Sequence, residues 1–445
     1  MSDLFVGVST ILMMLALIYF GMHIGVALIA TSFVGVWLVK SPEVAARFVA
    51  AAANDAIRDH LFGVIPLFVL MGMIVSVAGI GRDTFDVFQW MLRKVRGGLG
   101  LATVGANTVF ASITGISIAS ASVFSKVAVP EMVRHGYTKR FSVGVVAGSS
   151  VLGMLIPPSL LMIVYGVIAE ESIGRMFLAG VIPGIVLALG FGVLILALAY
   201  LKPAAIGGGA RASSGTSAGS PVEAPQDTAK TALMKFLPIV FLIALVLGGL
   251  YGGLFTPTEA GGVGAAGAPA GALVRRRLTG GERWEVGLET GFVSVSVLFL
   301  IIAASLYSRM LALTGMPGAV TETIAGLNLG SWGFLFAYIA IVIVLGCIID
   351  SVSIMLIMLP IVLPVAREFG MDIIWFGVIT VLAVEMGLLT PPFGVSVYAV
   401  KASINDPTIS IKDIFAGSLP FLLVMLLVLA ILVAFPKLST TMAYM

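Results

Sequence analysis

The chain has 445 residues, 59% of them hydrophobic and only 11% charged, with a mean hydropathy of +1.13. A soluble domain carries about a quarter charged residues to cover its surface, so a soluble enzyme or binding module is excluded. The 25 basic residues fall in short clusters between apolar stretches, which excludes a nucleic-acid surface. One cysteine, Cys347, allows no internal disulfide, and His23, His60 and His135 have no ligand spacing. An all-α polytopic membrane protein is expected, since a spanning helix takes roughly 20 apolar residues and about ten such spans fit.

In chain order, the N-terminus turns apolar directly after Asp3 without a basic leader, so the first stretch is read as a retained span. Apolar stretches lie at 4–20, 22–39, 61–80, 139–166, 178–201, 236–254, 256–274, 288–308, 373–400 and 414–435. Residues 40–60 mix alanines with both charge signs, as an amphipathic interfacial helix does. Two zones, 99–133 and 333–366, are longer than one span, too interrupted for two, and seeded with Gly, Ser and Pro. They are predicted as re-entrant hairpins. The Gly/Ser/Ala/Pro-rich stretch 203–230 is predicted as a flexible linker between repeats at 1–202 and 231–445.

The two halves repeat. VPEMVRHGY…GMLIPPSLLMIVYG in the first answers LPVAREFGM…GLLTPPFGVSVYAV in the second. An offset of 234 carries Pro130 to Pro364, Gly136 to Gly370, Gly153 to Gly387, Pro157 to Pro391 and Pro158 to Pro392. These are the residue types whose positions dictate backbone path. The first hairpin zone is flanked by 81–98, read as a loop with Arg82, Arg93, Lys94 and Arg96, and by Arg134, Lys139 and Arg140. The second is flanked by 315–332, without a basic residue and with Glu322, and by Arg367, Glu368 and Asp372. By the positive-inside rule the first set is cytoplasmic, with Lys202 and Arg275–Arg277, and the second is not. The expectation is therefore two inverted repeats, each of about five spans plus one re-entrant hairpin.

Inverted repeats with helices broken at membrane depth are the architecture of secondary transporters. A broken helix leaves N–H groups at one stump and carbonyls at the other, and in hydrocarbon these need a bound ion or polar solute. Four segments have that composition: Thr114–Ser122 and Gly346–Ser353 at the hairpin centres, Gly148–Pro158 and Gly387–Pro392 in the long spans that follow. Register sets Ile116-Ser117 against Asp350-Ser351. Each serine and glycine also has a packing reading, since small residues let membrane helices approach. Asp350 is the sole charge from Thr323 to Ala366 and reads as functional, with a backbone tie as its structural alternative. Glu385 stands alone in its span and could bind a cation, although Val151 occupies its repeat register. Lys126 is read as snorkelling to the interface. Thr258 and Glu259, after Pro257, are read as a helix cap and first-turn acid.

The stretches SVFSKVAVPEMVRHGY, GSSVLGMLIPPSLLMIVYG, FTPTEAGGVGA and GLLTPPFGVSVYAV resemble the large membrane subunit (DctM-like) of tripartite ATP-independent periplasmic (TRAP) transporters, nearly end to end. The resemblance implies a sodium-driven importer of organic anions, mostly carboxylates, in a bacterial inner membrane, working by an elevator mechanism. It implies two partners, a periplasmic solute-binding protein and a small four-helix membrane subunit on a separate chain. No cofactor is implied beyond sodium as coupling ion. The family's sodium sites carry over to Ser117, Ser120, Gly148, Ser149 and Ser150, and to Gly346, Asp350, Ser351, Gly387 and Thr390. Phe124 and Lys126 stand in the first hairpin's leg where smaller residues are expected. The alternatives are a self-sufficient sodium/dicarboxylate symporter or cation antiporter of similar fold, and a membrane enzyme acting on lipid-linked substrates. The enzyme lacks a histidine in the membrane zones to serve as base or ligand.

Overall fold

The computed structural model describes residues 3–58, 60–206, 229–274, 280–326, 330–404 and 406–445. Among them the regular secondary structure is helical apart from one isolated bridge between Tyr137 and Ile206. Most of the expected linker, 207–228, and Arg275–Arg277 lie outside the described residues.

The first half begins with α1 (Asp3–Tyr19), α2 (Ile24–Val39) and α3 (Pro42–Arg58). α4 (Val64–Val77) then bends by 62° at Gly79 into α5 (Ile80–Leu92). Gly79 takes φ +73, a conformation that costs a side-chain-bearing residue free energy. The stretch 81–98, expected as a loop, is thus helical to Leu92 and buries Asp83, Phe85 and Val87. Its counterpart 315–332 is likewise mostly helix. After α5 come α6 (Gly98–Thr114), α7 (Ser117–Arg134), α8 (Lys139–Ser150), the single turn α9 (Leu152–Leu155), α10 (Leu160–Ala169) and α11 (Ile173–Leu201).

The second half comprises α12 (Ala229–Ile243), which runs through a π turn, and α13 (Pro257–Val274). α14 (Gly280–Leu313), α15 (Met316–Gly326), α16 (Gly330–Gly346), α17 (Ser351–Glu368) and α18 (Ile373–Gly387) follow. The chain ends in α19 (Val395–Ser403), α20 (Ile411–Ala434) and α21 (Lys437–Ala443). Pro257 is the first residue of α13, and the cap is Thr256 in place of the expected Thr258. Its hydroxyl accepts from Glu259 N at 3.3 Å while Glu259 Oε2 accepts from Thr256 N at 2.8 Å. Proline prefers the first helical position because its missing N–H costs nothing there.

Six helices among the described residues are long and apolar enough to cross a bilayer, counting Lys139–Ala169 as one span through its break. The hairpin helices are shorter and matched: α6 and α16 have 17 residues each, α7 and α17 have 18. At 1.5 Å per residue each leg reaches about 26 Å, short of a typical hydrocarbon core of about 30 Å.

The same backbone bonds recur 234 residues apart. Tyr137 N donates to Met132 O and Gly136 N to Val133 O, both at 3.0 Å; Met371 N donates to Ala366 O at 3.0 Å and Gly370 N to Arg367 O at 2.9 Å. Gly136 and Gly370 supply the left-handed residue that this helix ending requires. Thr138 then caps α8 through Phe141 N, and Asp372 caps α18 through Trp375 N.

The halves interlock. α8 lies along α20 at Gly144 and Gly417, where a Cβ on either residue would collide with backbone of the other helix. Tyr165 OH donates to Ile373 O at 2.6 Å, and Arg367 donates to Ala169 O at 2.5 Å. Outside this body α4 packs on α13 and α14, and α2 on α14. Gly261 and Gly264 of α13 admit Leu67, Phe68 and Met71 of α4, as small residues do where apolar helices cross without a hydrophobic drive.

Candidate functional site

Each hairpin turns against the break of a long helix. α6 ends at Gly115, with φ +63, and α7 starts at Ser117. Opposite it, α8 and α9 stop at Leu155, residues 156–159 are extended around the cis Pro157–Pro158 bond, and Ser159 restarts the chain as cap of α10. Leu160 N donates to Gly115 O at 3.2 Å across this contact. In the second half α16 ends at Gly346, α17 starts at Ser351, and α18 stops at Gly387 before the cis Pro391–Pro392 bond. Gly394 N donates to Cys347 O at 3.1 Å. The donors Leu160 and Gly394 are again 234 residues apart. Proline removes the donors that would continue each helix, so the breaks follow from the sequence.

The hairpin starts Ser117 and Ser351 meet at one carboxyl. Glu385, on α18, is fully buried. Ser351 Oγ donates to Glu385 Oε1 at 3.2 Å, and Ser117, also fully buried, neighbours the same group without a well-formed hydrogen bond. Glu385 Oε2, Ser117 Oγ, Ser120 Oγ and Asn107 Oδ1 are buried and have no hydrogen-bond partner. Asn107 Nδ2 donates to Ser149 Oγ at 2.5 Å, tying α6 to α8. A Cβ on Gly153 would lie 3.1 Å from Ser117 N, so the first break presses on the first tip.

The structure therefore brings Ser117, Ser351, Gly346 and Gly387 together around α18, with Ser120 one turn along α7 and Ser149 linked through Asn107. Other expected site residues are engaged locally. Gly148 makes room for Phe421, and Ser150 Oγ donates to Ala147 O at 2.8 Å. Thr390 Oγ1 donates to Met386 O at 2.8 Å. Asp350 is exposed and caps α17, accepting from Ser353 N at 3.1 Å. It faces a cleft of about 790 Å³ whose wall includes His23, Ser296, Val297 and Ser353. Phe124, odd in a hairpin leg by composition, is fully buried edge-on to Phe110, and Lys126 is exposed. Sequence reasoning passed over Asn107 and set Glu385 aside; the available signal was a single acid inside an apolar span.

The chain matches the family described as "Tripartite ATP-independent periplasmic transporter, DctM component" over residues 11–438. It is 32% identical over 405 residues to the C4-dicarboxylate TRAP transporter large permease protein DctM of Pseudomonas aeruginosa, covering 90% of each chain. It is 32% identical to the protein of the same name from Rhodobacter capsulatus, over 96% of this chain and 98% of that one. It is 30% identical to the Isethionate TRAP transporter permease protein DctMQ of Oleidesulfovibrio alaskensis, over 92% of this chain and 61% of that longer one. Among solved structures it shares its fold with Neisseria gonorrhoeae MtrF at a TM-score of 0.57 and 12% identity, over 89% of this chain and 85% of that one. The chain is a multi-pass membrane protein that belongs to the DctM component family, the large permease subunits of tripartite ATP-independent periplasmic transporters.

Proposed function

We propose that this permease imports small organic anions, carboxylates above all, across a bacterial inner membrane at the expense of a sodium gradient. A periplasmic solute-binding protein delivers the solute and a small four-helix membrane subunit completes the carrier. The observation that carries this reading is the meeting of two hairpin tips with two broken helices around buried oxygens that have no partner. Each such oxygen costs about 1–3 kcal/mol if left unsatisfied. A desolvated sodium ion, which takes oxygen ligands, removes that deficit. Among the residues carried over as sodium ligands, Ser117, Ser351 and the backbone at Gly346 and Gly387 lie nearest this meeting point. Ser120 lies one turn along α7, Ser149 is tied to Asn107, Gly148 packs on Phe421, and the Ser150, Asp350 and Thr390 side chains bond local backbone.

The halves act as an inverted repeat, and the hairpins with their broken helices move as one body against a scaffold of α1–α4 and α12–α14. Hairpins opening to opposite sides expose one central site in turn. The cleft beside Asp350 has the volume of a small-molecule site. The relatives' names cite C4-dicarboxylates and isethionate, which are small organic anions. The test is reconstitution into liposomes. Uptake is expected only with binding protein, small subunit and an inward sodium gradient together. Robust sodium-driven uptake by the purified single chain would instead make it a self-sufficient symporter.

A further inference from the structure

We propose that the turn between α5 and α6, together with the end of α11, binds the headgroup of an anionic phospholipid. Short backbone bonds build the turn: Val95 N donates to Leu92 O at 2.9 Å and Gly98 N to Val95 O at 3.0 Å. Gly97 closes it in the left-handed region at φ +75. Arg93, Lys94 and Arg96 are all exposed on this turn. A Cβ on Gly97 would lie 3.3 Å from Ile195 and 3.4 Å from Ala199, so the turn rests on the last turns of α11. Lys202, which ends that helix, is exposed and joins the cluster. Among the described residues none of these four cations meets a carboxylate. Of the acids on or against α5, Glu131 is held by Arg134 at 2.9 Å, Asp86 by Lys235 at 2.8 Å, and Asp83 is buried.

Two of the guanidiniums are held ready. Arg93 lies 5.6 Å from the centroid of the Trp90 ring, and Arg96 lies 5.6 Å from that of Tyr200. A guanidinium stacked on a ring keeps its edge of N–H donors free, and that edge matches phosphate oxygens. Charge alone would also suit a soluble phosphate, but the apolar surroundings favour a lipid. Met91 and Val95 are exposed among the cations, and Tyr200 and Leu201 are exposed beside Lys202. Along α11 the exposed residues Ile185, Leu189 and Val193 recur every fourth position toward Tyr200, a strip that acyl chains can cover. Basic residues and aromatic rings at the foot of an apolar span suit the headgroup layer of an anionic leaflet. A bound headgroup bridges the turn that leads into the first hairpin and the end of α11. Without it the two are joined by apolar contact and the Arg96–Tyr200 stack.

The experiment is thermal unfolding of the purified full chain in detergent, with phosphatidylglycerol titrated against phosphatidylcholine at constant ionic strength. Wild type is expected to gain stability saturably with phosphatidylglycerol and not with phosphatidylcholine. Replacing Arg93→Gln and Arg96→Gln together is expected to raise the half-saturating phosphatidylglycerol fraction by about tenfold. Should that variant fail to fold, Lys94→Gln with Lys202→Gln, at exposed positions, reads the same shift at about threefold or more. Lys437→Gln is expected to match wild type, because α21 packs near the opposite end of α11, where Arg175 lies over the Tyr444 ring. Unchanged half-saturation in the arginine pair, or in the lysine pair where the first does not fold, overturns the site. A shift in Lys437→Gln as large as in the pairs overturns it too, by reducing the effect to net charge. An equal response to phosphatidylcholine, or to inorganic phosphate at the same phosphate concentration, overturns the lipid as occupant.

Discussion

Gly346 and Gly387 meet backbone to backbone where the second hairpin crosses the second broken helix. A Cβ on Gly346 would lie 2.7 Å from the Gly387 Cα, and one on Gly387 would lie 2.5 Å from the Gly346 Cα. No real side chain fits, so the crossing exists only because both positions lack one. Gly346→Ala or Gly387→Ala must push the hairpin tip away from α18, and overpacking of this kind costs about 1–3 kcal/mol. Either variant is expected to unfold at lower temperature and to lose solute uptake with its partners. Gly291→Ala, on α14 with nothing within 4 Å of its added methyl, is the matched control. It should be neutral or slightly stabilising, because alanine is the better helix former. Equal behaviour of the three variants would show that the close crossing is not needed.

Asp350 separates a structural from an ionic role. Its carboxylate accepts from Ser353 N, and an asparagine oxygen caps a helix about as well as an aspartate one. Asp350→Asn is therefore expected to leave stability and the sodium dependence of uptake unchanged. Asp350→Ala is expected to lower stability by about 1 kcal/mol. A loss of sodium dependence in Asp350→Asn would return this acid to the ion site and make the cap incidental.

Much of this architecture was legible in the sequence, and for identifiable reasons. A span needs an unbroken apolar run, so the stretch 414–435 was visible as such. The two Pro-Pro pairs abolish helix donors wherever they stand, so both breaks were readable without a structure. Helix α5 was missed because Arg82, Asp83 and Asp86 disguise an apolar face at Ile80, Phe85 and Phe88 that repeats at helical spacing. The cap before Pro257 was misread by two residues, although Thr256 and Glu259 stand at capping-box spacing.

The meeting of Ser117, Ser351 and Glu385 was not readable, for a different reason. Glu385 lies 34 residues from Ser351 and far further from Ser117, and contacts at that separation leave no periodic trace. Repeat logic also pointed away from it, since Val151 in the matching position carries no oxygen in its side chain.

The link between α8 and the 404–410 connection is sensitive to acid. Lys139 donates to Asp406 at 2.6 Å and also to Thr408, whose own N–H and hydroxyl donate to Asp406. These donors, Lys139 foremost, hold the Asp406 carboxyl well below its ordinary range. A depressed carboxylate stabilises the fold above its unfolded pKa of about 4 and loses that contribution as pH falls through its folded value. Asp406→Asn should be slightly less stable than wild type at pH 7, with the gap closing progressively below about pH 4. The effect is small because the pair is exposed and screened. Melting curves of both proteins from pH 7 downward read it, and a gap that widens with acid would contradict it.

The inversion expected of the two halves is open to a direct test, and the structure improves the choice of positions. Gly97 would be the natural label site in the basic connection, but it is buried with φ +75 and tolerates no side chain there. Lys94, three residues earlier, is exposed; in the second half Glu322, on α15, is exposed. Cys347 is the chain's sole cysteine and is buried, so Cys347→Ser gives a background for single replacements. The charge asymmetry predicts Lys94 on the cytoplasmic side and Glu322 on the periplasmic side. In intact cells with a permeabilised outer membrane, an impermeant thiol reagent is expected to label Glu322→Cys at once. Lys94→Cys should react only after the inner membrane is opened. Hairpins that open to opposite sides can each expose the same ion and solute in turn, and that is what an elevator needs. Equal labelling of both positions from outside would place the hairpins on one side, and alternating access through them would have to be abandoned.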